Sequence, residues 1–298
     1  MDERAALDLV GGLVDAAGDD TAVVDDVILT IDMLHEETDF PDGTAPYTMG
    51  WRSVGASLSD VAAMGAEATG TVAVYGAPDF EADALKGFVT GAIDVSEAVE
   101  AEYVGGDLDG HQEVTVATTA IGKSDDPVLR SGATPGEVVC VTGALGRSAA
   151  AVRYFAAGDA ERGNELFRFT PRVVAGRALS GTATAMMDSS DGLARSLHQL
   201  SEASDVGFAI DADSVPVAEP LQEIASAQGD GETVRHEAMT YGEDFELVCT
   251  MPADAVDAMK EELAVPLTEL GEVTDRDAGI LLDDEVLPDE GWTHGRSP

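Results

Sequence analysis

The sequence has few basic and few aromatic residues. Against 58 Asp and Glu residues, the 298-residue chain carries 16 Lys and Arg, so its formal net charge is −42. Because nucleic acids and anionic lipid surfaces repel such a charge, we expect neither as a partner. Aromatic residues make up 5% of the chain, but apolar residues make up 44%, which is enough for the core of one large domain or two ordinary ones.

Cysteines and long apolar runs are also scarce. Cys140 and Cys249 lie in the strand-like runs EVVCVTG and FELVCT, which predicts buried free thiols and no disulfide framework. No apolar run approaches the roughly 20 residues of a transmembrane helix, and the N-terminus MDERAALDLV lacks a signal-peptide pattern. We therefore expect a soluble, cytoplasmic protein.

The acidic residues are spread along amphipathic segments, which argues against a disordered acidic tail. The composition is typical of cytosolic proteins from organisms that keep molar salt inside the cell. At about 1 M salt the Debye length is roughly 3 Å, so the repulsion between surface carboxylates is screened. We expect a halophilic protein that loosens at low salt.

The hydrophobic pattern alternates strands and helices in two halves, which predicts an α/β or α+β chain. Strands are predicted at 21–32 (two strands around an acidic turn), 69–77, 113–122, 138–143, 182–187, 206–210, 245–250 and 279–282. Helices are predicted at 4–16, 46–66, 81–101, 144–157, 171–181, 191–203 and 253–264. Residues 104–110, VGGDLDG, are predicted to be a loop. The Gly-, Pro- and Ser-rich segment 123–137 predicts a boundary between domains 1–125 and 126–298.

Several aspartates stand at predicted strand ends or beside glycines. Asp188 and Asp191 lie in MMDSSDGL, Asp20 precedes a strand in GDDTAVV, and Asp32 ends VILTID. Asp60, in SLSD, lies on the side of its helix away from the apolar residues. Each of them could instead be a turn residue, a helix cap or a solvated acid.

Carboxylates gathered around one cavity repel each other. At an effective dielectric constant near 20, a pair at about 4 Å costs on the order of 4 kcal/mol, so such a cluster persists only with cations. Oxygen ligands without His or Cys favour Mg²⁺ over zinc, and protein-bound Mg²⁺ commonly shares phosphate oxygens with a nucleotide. The aspartates therefore predict a site for Mg²⁺ and a polyphosphate.

Eight motifs carry a family resemblance. They are GDDTAVV (18–24), LTIDML (29–34), SLSDVAAMGA (57–66), GGD (105–107), RSGATPGEVVCVTGALGRSAA (130–150), PRVVAGRAL (171–179), MDSSDGLARSL (187–197) and GEDFELVCT (242–250). In this order and spacing they resemble the thiamine-monophosphate kinase family, part of the superfamily of aminoimidazole ribonucleotide synthetase. The resemblance implies an N-terminal α/β domain whose sheet forms a barrel with that of a second subunit in a homodimer, and a C-terminal α+β domain.

The resemblance also implies the reaction and its residues. It implies Mg²⁺-assisted transfer of the γ-phosphoryl group of ATP to thiamine monophosphate, which gives thiamine diphosphate and ADP without a covalent nucleophile. The implied metal ligands are Asp20, Thr30, Asp32, Asp60, Asp188 and Asp191. The implied ATP contacts are Gly106, Asp107, Arg130 and Ser190. The implied substrate contacts are Glu243, Trp292 and Asp39, the last standing where the family commonly has histidine.

The residue chemistry agrees with that reaction. Phosphoryl transfer depends on positioning and charge neutralisation, and Arg130 can donate two parallel hydrogen bonds to phosphate oxygens. Trp292 could stack on the cationic thiamine, and Glu243 could offset its charge. Two alternatives remain: another ATP-using member of the superfamily, such as aminoimidazole ribonucleotide synthetase, and a non-catalytic protein that binds divalent cations.

Overall fold

The computed structural model describes residues 9–14, 18–226 and 231–292. Most of the helix predicted over 4–16 lies outside them, and within it residues 9–11 are helical. Among the described helices, none combines the length and the apolar character needed to cross a membrane.

The described residues form two β-sheets with helices packed against them. The strands are β1 Ala22–Val24, β2 Val27–His35, β3 Glu67–Ala77, β4 Glu102–Gly110, β5 Thr115–Lys123, β6 Val138–Thr142, β7 Ala185–Asp188, β8 Val206–Ile210, β9 Leu247–Met251, β10 Leu267–Asp275, β11 Ile280–Leu282 and β12 Glu285–Val286. The helices are α1 Glu36–Asp39, α2 Pro46–Ala63, α3 Ala82–Glu97, α4 Arg147–Ala156, α5 Ala160–Phe167, α6 Val173–Leu179, α7 Leu193–Ser204, α8 Glu219–Ser226, α9 Gly231–Thr240 and α10 Val256–Glu262.

The first sheet has the order β1-β2-β5-β3-β4, antiparallel except for the β3–β4 pair. Helix α2 starts with Pro46 at its first turn and packs on β2 and β5, on α3, and on β7 of the second sheet. Most of its side chains are buried, including several serines. This helix therefore lies between the two sheets and can present side chains to both.

The opposite face of the first sheet is apolar and exposed. Alternation along β2 places Leu29, Ile31 and Met33 on this face, and Ile31 is 74% exposed. Ile121 of β5 pairs with Leu29, and Val74 of β3 extends the same face. A single chain thus leaves a row of large apolar side chains on this sheet in contact with water.

The second sheet has the order β12-β11-β8-β10-β6-β9-β7. Cys140 of β6 is the register partner of Cys249 of β9, and both are buried free thiols, as predicted. Residues 124–137, which contain no helix or strand, connect the two sheets. We place the proposed division between domains 1–125 and 126–298 in this segment.

Two expectations about strands were wrong or incomplete. Residues 104–110 are not a loop but most of β4, since Gly106 allows close pairing: a Cβ there would lie 1.8 Å from the carbonyl oxygen of Ala73. Strand β10 was not predicted, because a register shift between Glu269 and Gly271 places its buried side chains three residues apart instead of two. Strand β12 and helices α1, α5, α8 and α9, which are short, were also not predicted.

Candidate active site

Three carboxylates converge where the two sheets meet. Asp20 precedes β1, Asp60 lies in the last turn of α2, and Asp188 is the last residue of β7. One oxygen from each lies within 4.8 Å of the others. The side chain of Asp20 and the whole residue Asp188 are each only 1% exposed. The structure therefore brings together three of the predicted aspartates, from both halves of the chain.

Hydroxyl groups orient two of these carboxylates. Ser59 Oγ donates a hydrogen bond of 2.6 Å to Asp188 Oδ2, and the backbone N–H of Ser190 donates to Asp188 Oδ1 at 3.2 Å. Thr30 Oγ1 of β2 donates to Asp60 Oδ2. Thr30 was predicted to assist the metal ligands, and its contact with Asp60 puts it beside the carboxylate group.

Asp32 and Asp191 were also predicted as metal ligands, but the three-carboxylate group does not include them. Asp32 accepts a hydrogen bond of 2.7 Å from Ser57 Oγ and is close enough to raise the pKa of Asp60. Asp191 lies three residues beyond Asp188, and Gly192 rather than Asp191 occupies the N-cap position of α7. Metal ligation by Asp32 and Asp191 remains a prediction.

Burial and mutual repulsion make the cluster electrostatically unfavourable when its members are ionised. Burial, followed by the charges of Asp32, Asp188 and Asp20, raises the pKa of Asp60 well above its usual value. Burial, followed by the charge of Asp20, raises the pKa of Asp188 to about 7. An all-oxygen donor set with this much unbalanced negative charge fits a hard divalent cation such as Mg²⁺.

We expect the affinity for Mg²⁺ to rise with pH, since the metal competes with the proton of Asp188. With the pKa of Asp188 at about 7, the carboxyl group is mostly protonated at pH 6 and mostly ionised at pH 8. The apparent dissociation constant should therefore be at least tenfold larger at pH 6 than at pH 8, because protonation of Asp60 adds to the effect of Asp188. Calorimetric titration of the nucleotide-free protein measures it, and the exposed-site variant Glu285→Gln should behave like wild type. An affinity that does not change with pH would contradict the assignment.

Arg130 provides positive charge at the edge of the cluster. Its Nε and Nη2 donate to the two carboxylate oxygens of Asp20 at 3.1 and 2.8 Å, and its backbone N–H is 3.2 Å from both carboxylate oxygens of Asp19. Burial alone would lower the pKa of Arg130, but the charges of Asp20 and Asp19 raise it, so the guanidinium stays charged. Arg130 therefore lies beside a cluster carboxylate, and its contact with ATP remains a prediction.

Two predicted substrate residues, Glu243 and Trp292, form backbone hydrogen bonds with the turn after Asp188. The carbonyl oxygen of Ser190 accepts the backbone N–H of Glu243 at 2.6 Å. The carbonyl oxygen of Asp191 accepts the backbone N–H of Trp292 at 3.0 Å. Two segments distant in sequence are therefore held within three residues of a cluster carboxylate.

The same turn is held in place by Glu246. The N–H of Ser189 donates to the carbonyl oxygen of Glu246 at 2.8 Å, and the N–H of Glu246 donates to Ser189 Oγ at 3.0 Å. The Glu246 carboxylate accepts two hydrogen bonds from Arg172, at 2.7 and 2.5 Å, and one from Thr142 at 2.7 Å. Because the carboxylate is fully engaged, Glu246 anchors the turn that positions Asp188.

Three other predicted residues lie outside the three-carboxylate group. Asp39 accepts the backbone N–H of His35 at 2.7 Å and so stabilises the start of α1. Gly106 and Asp107 lie on β4, the edge strand of the first sheet, where Asp107 is exposed. Their predicted roles with substrate and ATP remain predictions.

Several supporting residues were missed by the sequence analysis. Ser57, Ser59 and Glu246 have no chemistry that marks them in isolation. A signal existed for the two serines, because both belong to the motif SLSD that also contains Asp60. Glu246 stands in the motif GEDFE, whose first acid alone was selected.

Comparison with known proteins places this geometry in a known family. The family model "AIR synthase related protein, N-terminal domain" matches residues 18–124, and the corresponding C-terminal domain model matches residues 134–284. Thiamine-monophosphate kinase of Halobacterium salinarum is 60% identical over 294 residues, which cover 99% of this chain and 100% of that protein. Thiamine-monophosphate kinase of Methanospirillum hungatei is 36% identical, with 99% of each chain covered.

A solved structure, AaThiL complexed with AMPPCP and TMP, has a similar backbone. Its TM-score is 0.89 at 26% sequence identity, and the match covers 98% of this chain and 97% of that chain. The likeness therefore extends over both sheets and over the site between them.

Proposed function

The chain belongs to the thiamine-monophosphate kinase family, and we propose that it transfers the γ-phosphoryl group of ATP to thiamine monophosphate to give thiamine diphosphate and ADP. The similarity to a complex that contains AMPPCP, an ATP analogue, and TMP supports this pair of substrates. The observation that carries the proposal is the convergence of Asp20, Asp60 and Asp188 at one buried site in a chain of this family.

We propose that the resident divalent cation is Mg²⁺. The residues that would hold it are Asp20, Thr30, Asp32, Asp60, Asp188 and Asp191. The all-oxygen donor set and the raised pKa values of Asp60 and Asp188 support a hard cation there. When bound, Mg²⁺ supplies neutralisation of phosphate charge and alignment of the phosphate groups.

The side chains around the cluster bind and orient the two substrates. We assign Gly106, Asp107, Arg130 and Ser190 to ATP, and Asp39, Glu243 and Trp292 to thiamine monophosphate. Because Nε and one N–H of Nη2 of Arg130 donate to Asp20, its donors to phosphate oxygens would be Nη1 and the second N–H of Nη2. Trp292 offers an aromatic face to the cationic thiamine ring, and its backbone is fixed by Asp191.

The bonding changes require no nucleophile from the protein. A phosphate oxygen of thiamine monophosphate attacks the γ-phosphorus of ATP, and the bond from that phosphorus to the β–γ bridging oxygen breaks. ADP leaves with the bonding electron pair. The attacking oxygen is already ionised at neutral pH, so no general base is needed, and the chain contributes mainly alignment.

The proposed function is tested by incubating the purified chain with Mg²⁺, ATP and thiamine monophosphate in molar KCl. We expect equal amounts of thiamine diphosphate and ADP. Free phosphate with ADP would indicate a different ATP-using reaction of the superfamily, and metal binding without turnover would indicate a non-catalytic role. Either result would overturn the proposal.

We also propose that the chain works as a homodimer that buries the exposed face of the first sheet. Leu29, Ile31 and Met33 of β2, Ile121 of β5 and Val74 of β3 place large exposed apolar side chains on three neighbouring strands of that sheet. Surfaces of this kind, when exposed on a monomer, are typical of protein–protein interfaces.

The net charge of −42 supports a further proposal, that the protein works in a salt-rich cytoplasm and binds neither nucleic acids nor membranes. Without screening, the surface carboxylates repel each other and destabilise the compact state. We expect the melting temperature to fall by about 10 °C between molar and low KCl. Molar NaCl serves as the control and should restore stability, because it screens charge as KCl does. Equal melting temperatures at molar and low KCl would contradict adaptation to salt.

A further inference from the structure

Arg52 is a fully buried guanidinium with no role in the site described above. It lies on α2, eight residues before Asp60, which is about two helical turns along the same helix. A buried charge is unfavourable unless it is paired and hydrogen-bonded, so the partners of Arg52 indicate what it does.

Those partners belong mainly to the segment that carries Glu243. Arg52 Nη2 donates to the Glu243 carboxylate at 2.5 Å and to the Glu243 carbonyl oxygen at 3.0 Å. Its Nη1 donates to the carbonyl oxygen of Phe167 at 2.8 Å, and the guanidinium carbon lies 3.6 Å from the centroid of the Phe167 ring. One side chain therefore holds both the main chain and the carboxylate of Glu243.

The segment held by Arg52 has an unfavourable backbone conformation. Glu243 has φ 64° and Phe245 has φ 55°, both in the left-handed region that side-chain-bearing residues avoid. Such conformations cost roughly 1–3 kcal/mol each and persist only where surrounding contacts impose them. Ser148 adds one such contact, because its Oγ donates to the Glu243 carbonyl oxygen at 2.6 Å.

The ion pair also changes the charge that Glu243 presents. The side chain of Arg52 is 1% exposed and that of Glu243 is 25% exposed. The carboxylate of the pair is therefore partly in contact with solvent, and its guanidinium partner is buried. Glu243 therefore cannot be read as an uncompensated negative charge. If its carboxylate were removed, the positive charge of Arg52 would be left buried beside the place where a cationic ring binds.

We propose that Arg52 is a positioning residue for the cationic thiamine moiety: it fixes Glu243 and, as one neutral pair with it, determines the affinity for thiamine monophosphate. This inference rests on the proposed function and on the assignment of Glu243 to the substrate. The hydrogen bond from the Glu243 N–H to the Ser190 carbonyl oxygen places the pair beside the turn that follows Asp188. Arg52 acts through Glu243 and not through the metal cluster.

A double-mutant cycle tests the proposal. The wild type, Arg52→Gln, Glu243→Gln and the double variant are compared by KM for thiamine monophosphate, KM for ATP and melting temperature. We expect each single change to raise KM for thiamine monophosphate about tenfold, with KM for ATP unchanged within about twofold. The double variant should be no worse than Glu243→Gln alone, because it removes both charges.

Additive effects, with KM for thiamine monophosphate raised about a hundredfold in the double variant, would overturn the proposal. So would losses that fall equally on KM for ATP, since a merely structural role predicts these. If Arg52→Gln does not fold, Arg52→Lys replaces it in the cycle. Lysine keeps the charge without the planar fork, so we expect an intermediate KM for thiamine monophosphate, and a wild-type value would overturn the proposal. A wild type without turnover would overturn the proposed function and this inference together.

Discussion

Replacing Asp188 by asparagine should lower kcat by about a thousandfold without destabilising the protein. The substitution keeps the shape of the side chain and an oxygen for the hydrogen bond from Ser59, loses the 3.2 Å hydrogen bond from the Ser190 N–H, and removes an ionisable ligand from the carboxylate group. Product formation at saturating ATP and thiamine monophosphate measures the loss. Wild-type activity in this variant would show that Asp188 does not serve the reaction.

The Asp188→Asn substitution should also affect the melting temperature, because it removes a buried charge. The pKa of Asp188 is raised to about 7 in the folded state by burial and by Asp20, so its ionisation opposes folding as the pH rises through 7. At pH 8 and without metal, the Asp188→Asn variant should therefore melt at the same temperature as wild type or higher. Asp284→Asn is a matched control, because Asp284 is exposed and has a left-handed backbone that asparagine tolerates. It should change neither activity nor melting temperature.

A charge placed on the exposed face of the first sheet should prevent dimer formation. Ile31→Asp should convert the proposed homodimer to monomers while each chain stays folded. Ile31 is 74% exposed in one chain, so the charge costs little there, but in a symmetric interface two carboxylates would be buried. At about 2 kcal/mol each, the dimer dissociation constant rises about a thousandfold.

Sedimentation velocity in molar KCl measures the change in association. Val286→Asp is the matched control, because Val286 is 78% exposed on β12 of the second sheet and should leave the dimer intact. A wild type that sediments as a monomer, or an Ile31→Asp variant that stays dimeric, would contradict an interface on this face.

The carboxylate cluster was predictable because its members stand at fixed points of short motifs. Asp188 ends a strand and Asp60 lies in the last turn of a helix, so their places could be inferred before their contacts were known. Their meeting required the resemblance, since nothing in the spacing of Asp20, Asp60 and Asp188 brings two sheets together. The supporting hydroxyls of Ser57 and Ser59 depend on how α2 is rotated between those sheets, which periodicity alone does not give.

Strands β4 and β10 and the buried Arg52 were missed because each depends on contacts with residues distant in sequence. The glycines of β4 lowered its local strand propensity, although Gly106 is what permits its close pairing with β3. The register shift in β10 removed the alternation by which a strand is recognised. Arg52 was overlooked because a lone arginine in a helix is usually a surface residue, whereas this one is buried by partners more than 90 residues away in sequence.

Helix α2 has a consequence for how the enzyme acquires its activity. It contacts strands of both sheets, and its last turns carry Ser59 and Asp60, which meet Asp188 from the other half of the chain. Neither half on its own possesses a complete ion-binding centre. The ion-binding centre is therefore complete only when the two halves are packed together, and a cation bound there would stabilise that packed arrangement.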